Sequence, residues 1–222
     1  MKRSRLCAIL TWWPTPRIFD GYLIAVVLVV AGLCAVCFAC VPPVPTPPPG
    51  NNPVIVGDSI VMGAQLHGAM NVMPYAFIDA DAGRSVNGPG FVTGRNGVDS
   101  IPIALSHLQP GGWLVLELGT NDLQQDMGLY YSTIADLVKP IPPGVCVAFV
   151  TVADWSTPER QLNSLAWNDQ IRQAARRRSC YRIIDWWENT RLRTGQVLQA
   201  DLVHPNAWGE RELAAMIQWN TA

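Results

Sequence analysis

Four short polar motifs follow one another along the chain, and each combines reactive side chains with turn-forming residues. They are Gly-Asp-Ser at 57–59, Asp-Ala-Gly-Arg at 81–84, Gly-Thr-Asn-Asp at 119–122 and Asp-Leu-Val-His-Pro at 201–205. The first motif supplies a serine hydroxyl, and the last supplies a carboxylate three residues before an imidazole. A serine that attacks a carbonyl needs a base, an acid that orients the base, and donors for the oxyanion. Together the motifs predict acyl transfer through a serine.

This set of motifs, in this order, resembles the SGNH hydrolases, the GDSL-type esterase superfamily, over roughly residues 54–219. The resemblance implies that Ser59 is the nucleophile, with Asp201 and His204 as its orienting acid and base. It also implies an oxyanion hole formed by the Ser59 N–H, Gly83 and Asn121. The Asp-Ala-Gly-Arg form of the second motif is similar to SGNH domains that act on cell-surface polysaccharides.

Each of these residues also has a plainer interpretation. Ser59 alone could be the N-cap of a helix that follows a strand, and Asn121 could cap its own loop. Gly83 could be a turn glycine, and Gly88 and Gly90 lie close enough to replace it as the donor. The ordered set favours the catalytic interpretation over these alternatives.

The base must be chosen among three histidines. His67 and His107 fall within or near the ends of predicted helices, which favours surface or packing roles. Only His204 has an acid at a spacing that could orient its ring. Because protein groups supply all of the charge stabilisation, we expect no metal ion and no other cofactor.

Substrate contacts are predicted at Arg84, Trp155 and Trp208. Arg84 follows the oxyanion glycine and could pair either with a polar substrate group or with a neighbouring acid. Trp155 follows a predicted strand and Trp208 lies four residues after His204, so either ring could stack on a sugar or enclose an acyl chain. Tryptophans more often pack in a core, and that interpretation stays open for both.

The hydrophobic pattern alternates short β-branched runs with helical stretches. Several predicted strands are apolar on both faces, as in a parallel sheet covered by helices. The predicted strands are 54–56, 75–80, 113–118, 146–152 and 181–186, and the predicted helices are 60–70, 100–108, 128–138, 158–178 and 207–219. Five βα units predict a three-layer α/β/α sandwich with ligand groups at the carboxyl ends of the strands. The family resemblance implies a flavodoxin-like five-stranded parallel sheet in the order 2-1-3-4-5.

The N-terminal part predicts a membrane anchor. A basic tail at 1–21 precedes an uncharged apolar stretch at 22–41, whose 20 residues can span about 30 Å of hydrocarbon. The positive-inside rule then puts the tail in the cytoplasm and the rest outside, as a single-pass inner (plasma) membrane protein. A proline-rich linker at 42–52 would hold the hydrolase domain at 53–222 near the membrane. A cleaved secretory signal, or a lipoprotein signal at Cys40, is the alternative.

Charge and cysteine usage agree with an exported domain. Four of the 16 basic residues lie in the first 20 positions, so the remainder is acidic and a nucleic-acid partner is not expected. Of the six cysteines only Cys146 and Cys180 follow the apolar stretch. They lie at the starts of successive predicted strands that are neighbours in the 2-1-3-4-5 order, which predicts a structural disulfide. Two buried free thiols are the alternative.

The sequence therefore predicts a membrane-tethered serine esterase that removes a small acyl group, such as acetyl, from a cell-envelope glycan or lipid. Transfer of the acyl group to a sugar hydroxyl instead of water would use the same residues. A noncatalytic envelope-binding module is a third hypothesis, which the intact set of catalytic residues disfavours. The oligomeric state is left open.

Overall fold

The computed structural model of the chain describes residues 52–127 and 133–222. At the centre of the domain is a parallel sheet of five strands, whose order across the sheet is β2-β1-β3-β4-β5. The strands are β1 Val54–Gly57, β2 Phe77–Ala80, β3 Trp113–Glu117, β4 Cys146–Val150 and β5 Tyr181–Ile184. The predicted strand order is confirmed.

Seven α-helices and two 3₁₀ helices occur in the described residues. The α-helices are α1 Ser59–Leu66, α2 Gly97–Ser106, α3 Ile134–Val138, α4 Pro158–Arg176, α5 Trp186–Arg191, α6 Thr194–Val197 and α7 Ala207–Thr221. The 3₁₀ helices are Ala69–Val72 and Thr120–Met127. Short helices α5 and α6 lie between β5 and the final helix, where the sequence pattern alone predicts no regular element.

Local chemistry sets the ends of these elements. The predicted helix at 60–70 ends early because Gly68 adopts a left-handed conformation, φ 78°, which interrupts the helix. The predicted strand at 181–186 ends at Ile184 because Asp185 caps α5 by accepting a hydrogen bond from the Glu188 N–H. Thr157 caps α4 in the same way, with Pro158 in its first turn.

Helices cover both faces of the sheet, as the sandwich prediction requires. One core layer packs α1, α5 and α7 on the sheet and includes Ile60, Val61, Trp186, Leu213 and Ile217. The other packs α2, α3 and α4 and includes Ile101, Leu137, Trp167 and Ile171. The sheet is therefore a rigid, fully covered platform, and its carboxyl edge is where loops are free to form a site.

The predicted tail at 1–21, the membrane span at 22–41 and nearly all of the linker at 42–52 lie outside the described residues, as does the first part of the predicted helix at 128–138. Among the helices in 52–127 and 133–222, none has the length and apolarity that crossing a bilayer requires.

A disulfide joins Cys146 and Cys180, with their Cα atoms 4.7 Å apart. Cys146 is the first residue of β4, and Cys180 precedes β5, where its carbonyl accepts a hydrogen bond from the Val147 N–H. The bridge thus lies at the amino ends of the strands, opposite the carboxyl edge. It is the bridge that the strand order predicts.

We expect the double substitution of Cys146 and Cys180 by serine to lower the free energy of unfolding by about 3 to 4 kcal/mol, since the bridge closes a loop of 34 residues. Urea unfolding of the oxidised protein and the double variant measures the difference. Equal midpoints, or two alkylatable thiols in the unreduced protein, would contradict the expectation.

Candidate active site

The nucleophile candidate begins a helix at the carboxyl edge of the sheet. β1 ends at Gly57, and Ser59 is the first residue of α1, so only Asp58 separates strand from helix. Asp58 is the N-cap, and its Oδ1 accepts the Ile60 N–H at 2.9 Å. This tight turn presents the Ser59 hydroxyl above the sheet edge.

The Ser59 hydroxyl meets His204 from the other end of the domain. Ser59 Oγ lies 3.0 Å from His204 Nε2, and His204 Nδ1 lies 2.7 Å from Asp201 Oδ2. With Asp201 ionised, Nδ1 carries the hydrogen, so the lone pair of Nε2 faces the hydroxyl. The structure therefore brings together the serine, base and acid that the sequence predicts, in a hydrogen-bonded chain.

Asp201 is fixed by its own turn. Its Oδ1 accepts the N–H groups of Val203 and His204, each at 3.0 Å. Partial burial raises the pKa of Asp201, but these amides and the His204 ring lower it below its ordinary value overall. Asp201 is thus the ionised partner that an orienting acid must be.

A strained residue shapes this turn. Leu202, between the acid and the base, is the one described non-glycine residue with positive φ, at 60°. Its carbonyl accepts the Trp155 N–H at 3.0 Å, and its N–H donates to the Gln199 carbonyl. Strain of this kind persists only where surrounding contacts fix it, and here it turns the carboxylate towards the imidazole.

Two backbone donors at the site have no hydrogen-bond acceptor. Within the described part of the chain, neither the Ser59 N–H nor the Gly83 N–H has a partner. By contrast Gly88 donates to Ser85 Oγ at 2.7 Å and Gly90 donates to the Arg95 carbonyl at 3.0 Å. Of Gly83, Gly88 and Gly90, Gly83 is therefore the one whose amide is available to an oxyanion.

Asn121 completes this group of donors. It follows β3, and its Nδ2 donates to the Arg84 carbonyl at 2.9 Å and to Asp58 Oδ2 at a longer 3.4 Å. The short bond fixes the amide beside the second motif. The long bond is the weaker one, and it is the one that an oxyanion would replace.

Gly83 is required by its surroundings. Its φ of 72° is left-handed, and an added Cβ would lie 2.6 Å from the Phe91 ring. Asp81 fixes the loop around it by accepting hydrogen bonds from the Val92 N–H, the Thr93 N–H and the Thr93 hydroxyl. The loop therefore holds Phe91 against the backbone of Gly83.

The prediction that Arg84 binds substrate is wrong. Its side chain is 0% exposed, because it donates hydrogen bonds to the Asp79 carboxylate at 2.7 Å and to the carbonyls of Asp79 and Gly57. A buried guanidinium with these carboxylate and carbonyl partners is a structural group. Arg84 joins the ends of β1 and β2 and so supports the turn that carries Ser59.

The two predicted tryptophans differ in their surroundings. The Trp155 ring is half-buried, stacks on Trp187 with centroids 4.0 Å apart, and donates from Nε1 to Thr190 Oγ1 at 2.9 Å. Trp208, in the first turn of α7, is 61% exposed. Trp155 thus supports the Asp201 turn, whereas Trp208 presents a ring to solvent.

The other two histidines have the surface or packing roles predicted for them, and the His67 side chain is exposed. His67 Nδ1 lies 2.7 Å from Glu210 Oε1, which links the end of α1 to α7. His107 stacks on Phe77 with ring centroids 3.9 Å apart. In the ranges 52–127 and 133–222, no three His, Cys, Asp or Glu residues are grouped so that they could hold a metal ion.

One buried acid of the site was not predicted. Glu117 ends β3 and is buried beside Asp58, which donates its N–H to Glu117 Oε2 at 3.4 Å. Burial raises the pKa of Asp58 to about 6 and that of Glu117 well above its ordinary value. A glutamate that ends a strand otherwise apolar on both faces is the signal that could have found it.

Comparisons with known proteins establish the fold. No family model matches the sequence, and no curated protein matches it. Solved structures do match: the C-terminal catalytic domain of Streptococcus pneumoniae peptidoglycan O-acetyltransferase A has a TM-score of 0.58 and 18% identity, over 76% of this chain and 90% of that one. A member of the lipolytic protein G-D-S-L family from Veillonella parvula has a TM-score of 0.55 and 22% identity, over 74% and 94%.

A third structure, provisionally assigned as an SGNH hydrolase, comes from Slackia heliotrinireducens, with a TM-score of 0.51 and 16% identity over 78% of this chain and 98% of that one. At these low sequence identities, the similarity to the three solved structures shows the fold alone. The described chain has the fold of the SGNH hydrolases, as the four motifs predict.

Proposed function

We propose that the chain is a serine esterase that removes a small acyl group, such as acetyl, from a cell-envelope glycan or lipid. The observation that carries the proposal is the hydrogen-bonded chain from Ser59 through His204 to Asp201, next to two amides without acceptors. A noncatalytic module would have no need of this alignment.

The geometry of the site assigns each of these groups a role in ester hydrolysis. Ser59 Oγ attacks the ester carbonyl while His204 Nε2 takes its proton, and the Ser59 N–H, the Gly83 N–H and Asn121 Nδ2 hold the oxyanion. His204 then gives the proton to the departing alcohol, which leaves an acyl-serine. Water, activated by His204, releases the acid and restores the serine.

The proposed substrate class rests on the rim of the site. The Phe91 ring is 84% exposed and lies against the Gly83 backbone, and Trp208 is exposed four residues after His204. Exposed aromatic rings, one against Gly83 and one close to His204 in sequence, suit a sugar ring, which has an apolar face and a polar edge. The likeness to a catalytic domain of a peptidoglycan O-acetyltransferase supports a glycan ester.

A panel of p-nitrophenyl esters from two to sixteen carbons, beside acetylated xylan and O-acetylated peptidoglycan, tests the proposal. We expect the shortest esters to turn over fastest and acetate to be released from at least one glycan. No turnover of any ester by the folded protein would refute an esterase.

Acyl transfer to a sugar hydroxyl is the second candidate, since the fold is shared with an O-acetyltransferase domain. The base is also accessible, because the side chains of His204 and Asp201 are 39% and 47% exposed, which leaves room for a bulky acceptor. Product analysis with an oligosaccharide acceptor distinguishes the two: acetylated acceptor indicates transfer, and free acetate alone indicates hydrolysis.

We expect Asn121→Ala to lower kcat about 10²- to 10³-fold with little change in KM, because it removes a donor to the oxyanion. Steady-state kinetics with p-nitrophenyl acetate measure both constants. Asn71→Ala, at an exposed asparagine away from the carboxyl edge, is the matched control and keeps the wild-type values. A rise in KM alone would make Asn121 a binding residue.

We further propose that the domain is exported and tethered, with the N-terminus in the cytoplasm. The Cys146–Cys180 disulfide supports export, because disulfides persist in oxidising compartments. Protease added to intact cells or spheroplasts that express the full chain is expected to digest residues 54–222, while a cytoplasmic marker stays whole. Protection of the domain under those conditions would reverse the orientation.

A further inference from the structure

Glu117 lies directly beneath the turn that carries the nucleophile. It is the last residue of β3, and in the sheet it pairs with Gly57, the last residue of β1. Leu116 and Leu118 on either side of it pack in the layer formed by α2, α3 and α4. Because side chains alternate along a strand, Glu117 lies on the other face, under α1.

The Glu117 carboxyl group contacts the first turn of α1. It accepts hydrogen bonds from the N–H groups of Asp58, at 3.4 Å, and of Val61. It also hydrogen-bonds the carboxyl group of Asp58. Two carboxyl groups can share a hydrogen bond only when one of them keeps its proton.

Almost all of the backbone N–H groups in this first turn already have a hydrogen-bond acceptor. A helix begins with N–H groups that lack helical partners. Asp58 Oδ1 accepts that of Ile60, Glu117 accepts that of Val61, and the Asp58 carbonyl accepts that of Met62. In this turn, as the structure describes it, the Ser59 N–H alone remains for an oxyanion.

Negative charge near these donors opposes catalysis. Asp58 Oδ2 lies 3.4 Å from Asn121 Nδ2, so its charge competes with an oxyanion for that donor. Asp122 adds to the negative potential at Asp58, and His204 reduces it when protonated. The other charged groups nearby are already paired, since Arg84 binds Asp79, and Glu210 of α7, facing α1 at Gly63, binds His67.

We propose that Glu117 is a positioning residue of the active site: as a neutral carboxyl group it holds Asp58 and the first turn of α1, leaves the Ser59 N–H free, and adds no charge of its own to that of Asp58. The proposal rests on the proposed esterase function. Its consequence is a loss of kcat at alkaline pH, when Glu117 ionises and a second charge appears beside Asp58.

The proton on the Glu117 carboxyl group also makes the stability of the fold depend on pH. Burial, and next the charge of Asp58, raises the pKa of Glu117 in the folded state. An acid whose folded pKa is raised stabilises the fold fully below its unfolded pKa, and that contribution is lost as pH rises towards the folded value. This contribution of Glu117 to stability should therefore begin to be lost above about pH 4.3, the ordinary glutamate pKa.

Two variants test the role of Glu117 in catalysis. Glu117→Gln keeps both a donor and an acceptor but cannot ionise, so we expect kcat within about 3-fold of wild type at pH 7 and no alkaline decline up to pH 9. Glu117→Leu removes both, and we expect kcat to fall about 10- to 100-fold with KM nearly unchanged, since small misplacements of catalytic groups are this costly. Glu188→Gln, at an exposed acid on α5, is the matched control.

Thermal unfolding of the same variants from pH 5 to pH 8 tests, independently of activity, whether Glu117 keeps its proton in the folded protein. We expect the melting temperature to fall with pH more in the wild type than in Glu117→Gln. The proposal would be overturned if the melting temperature or kcat of wild type and of Glu117→Gln depended on pH in the same way. A wild-type kcat in Glu117→Leu would also overturn it. If Glu117→Leu does not fold, the pH profiles of kcat and melting temperature in Glu117→Gln still test the proposal. Retained turnover in Ser59→Ala would refute the esterase function instead, and the melting curves would still test Glu117.

Discussion

Ser59→Ala is expected to lower ester turnover by at least about 10⁴-fold, the largest effect of any single substitution in this chain. In the proposed mechanism the hydroxyl oxygen attacks the ester, and its 3.0 Å hydrogen bond to His204 Nε2 is the path by which its proton leaves. Alanine keeps the helix start, because Asp58 and not Ser59 caps α1. Hydrolysis of p-nitrophenyl acetate measures the loss, and the melting temperature confirms that the variant folds.

A covalent label gives a second readout of the same residue. A sulfonyl fluoride should add one group to the wild-type protein and none to Ser59→Ala, as intact mass reports. Ser106→Ala, at the exposed end of α2, is the control and should react and turn over as the wild type does. Full turnover or labelling of Ser59→Ala would disprove the serine mechanism.

Asp201→Asn is expected to lower kcat about 10³- to 10⁴-fold, because the amide no longer holds the imidazole in the tautomer whose Nε2 accepts the serine proton. Asp201 Oδ2 makes the 2.7 Å bond to His204 Nδ1. The other oxygen accepts two backbone amides, so asparagine can keep the turn only by directing its NH₂ at the ring nitrogen. The same ester assay measures the loss.

Asp169→Asn is the matched control, since Asp169 is an exposed acid on α4 that pairs only with Arg172 among the described ion pairs. It should change kcat by less than about 2-fold. A kcat for Asp201→Asn within 3-fold of wild type would mean that the exposed imidazole orients itself through solvent, and that Asp201 only shapes its turn.

The sheet could be predicted because its signals are local. Each strand is a short β-branched run, and a parallel sheet buried on both faces needs no polar alternation. The ends of the elements were harder to predict, because they depend on backbone conformation. Gly68 ends α1 through its positive φ, and Asp185 ends β5 by capping the next helix, and neither effect changes the hydrophobic pattern.

The hydrogen-bonded chain of Ser59, His204 and Asp201 could be predicted because its members are polar residues in recognisable motifs. The supporting residues could not, because their roles depend on which atoms surround them after folding. Arg84 follows Gly83 in sequence, yet its side chain points into the fold and binds Asp79. Glu117 has no motif of its own, and only its pairing with Gly57 in the sheet places it under the nucleophile.

The two halves of the site come from opposite ends of the domain, since Ser59 and His204 are 145 positions apart in the chain. Synthesis proceeds from the N-terminus, so the nucleophile emerges long before its base. The nascent chain carries a serine without activation until α7 packs against α1 and the Asp201 turn closes over the sheet edge. Any product that stops before Asp201 has the sheet and the serine but lacks a base. The proposed esterase activity therefore depends on residues that are synthesised almost last, and a chain that ends before them cannot have it.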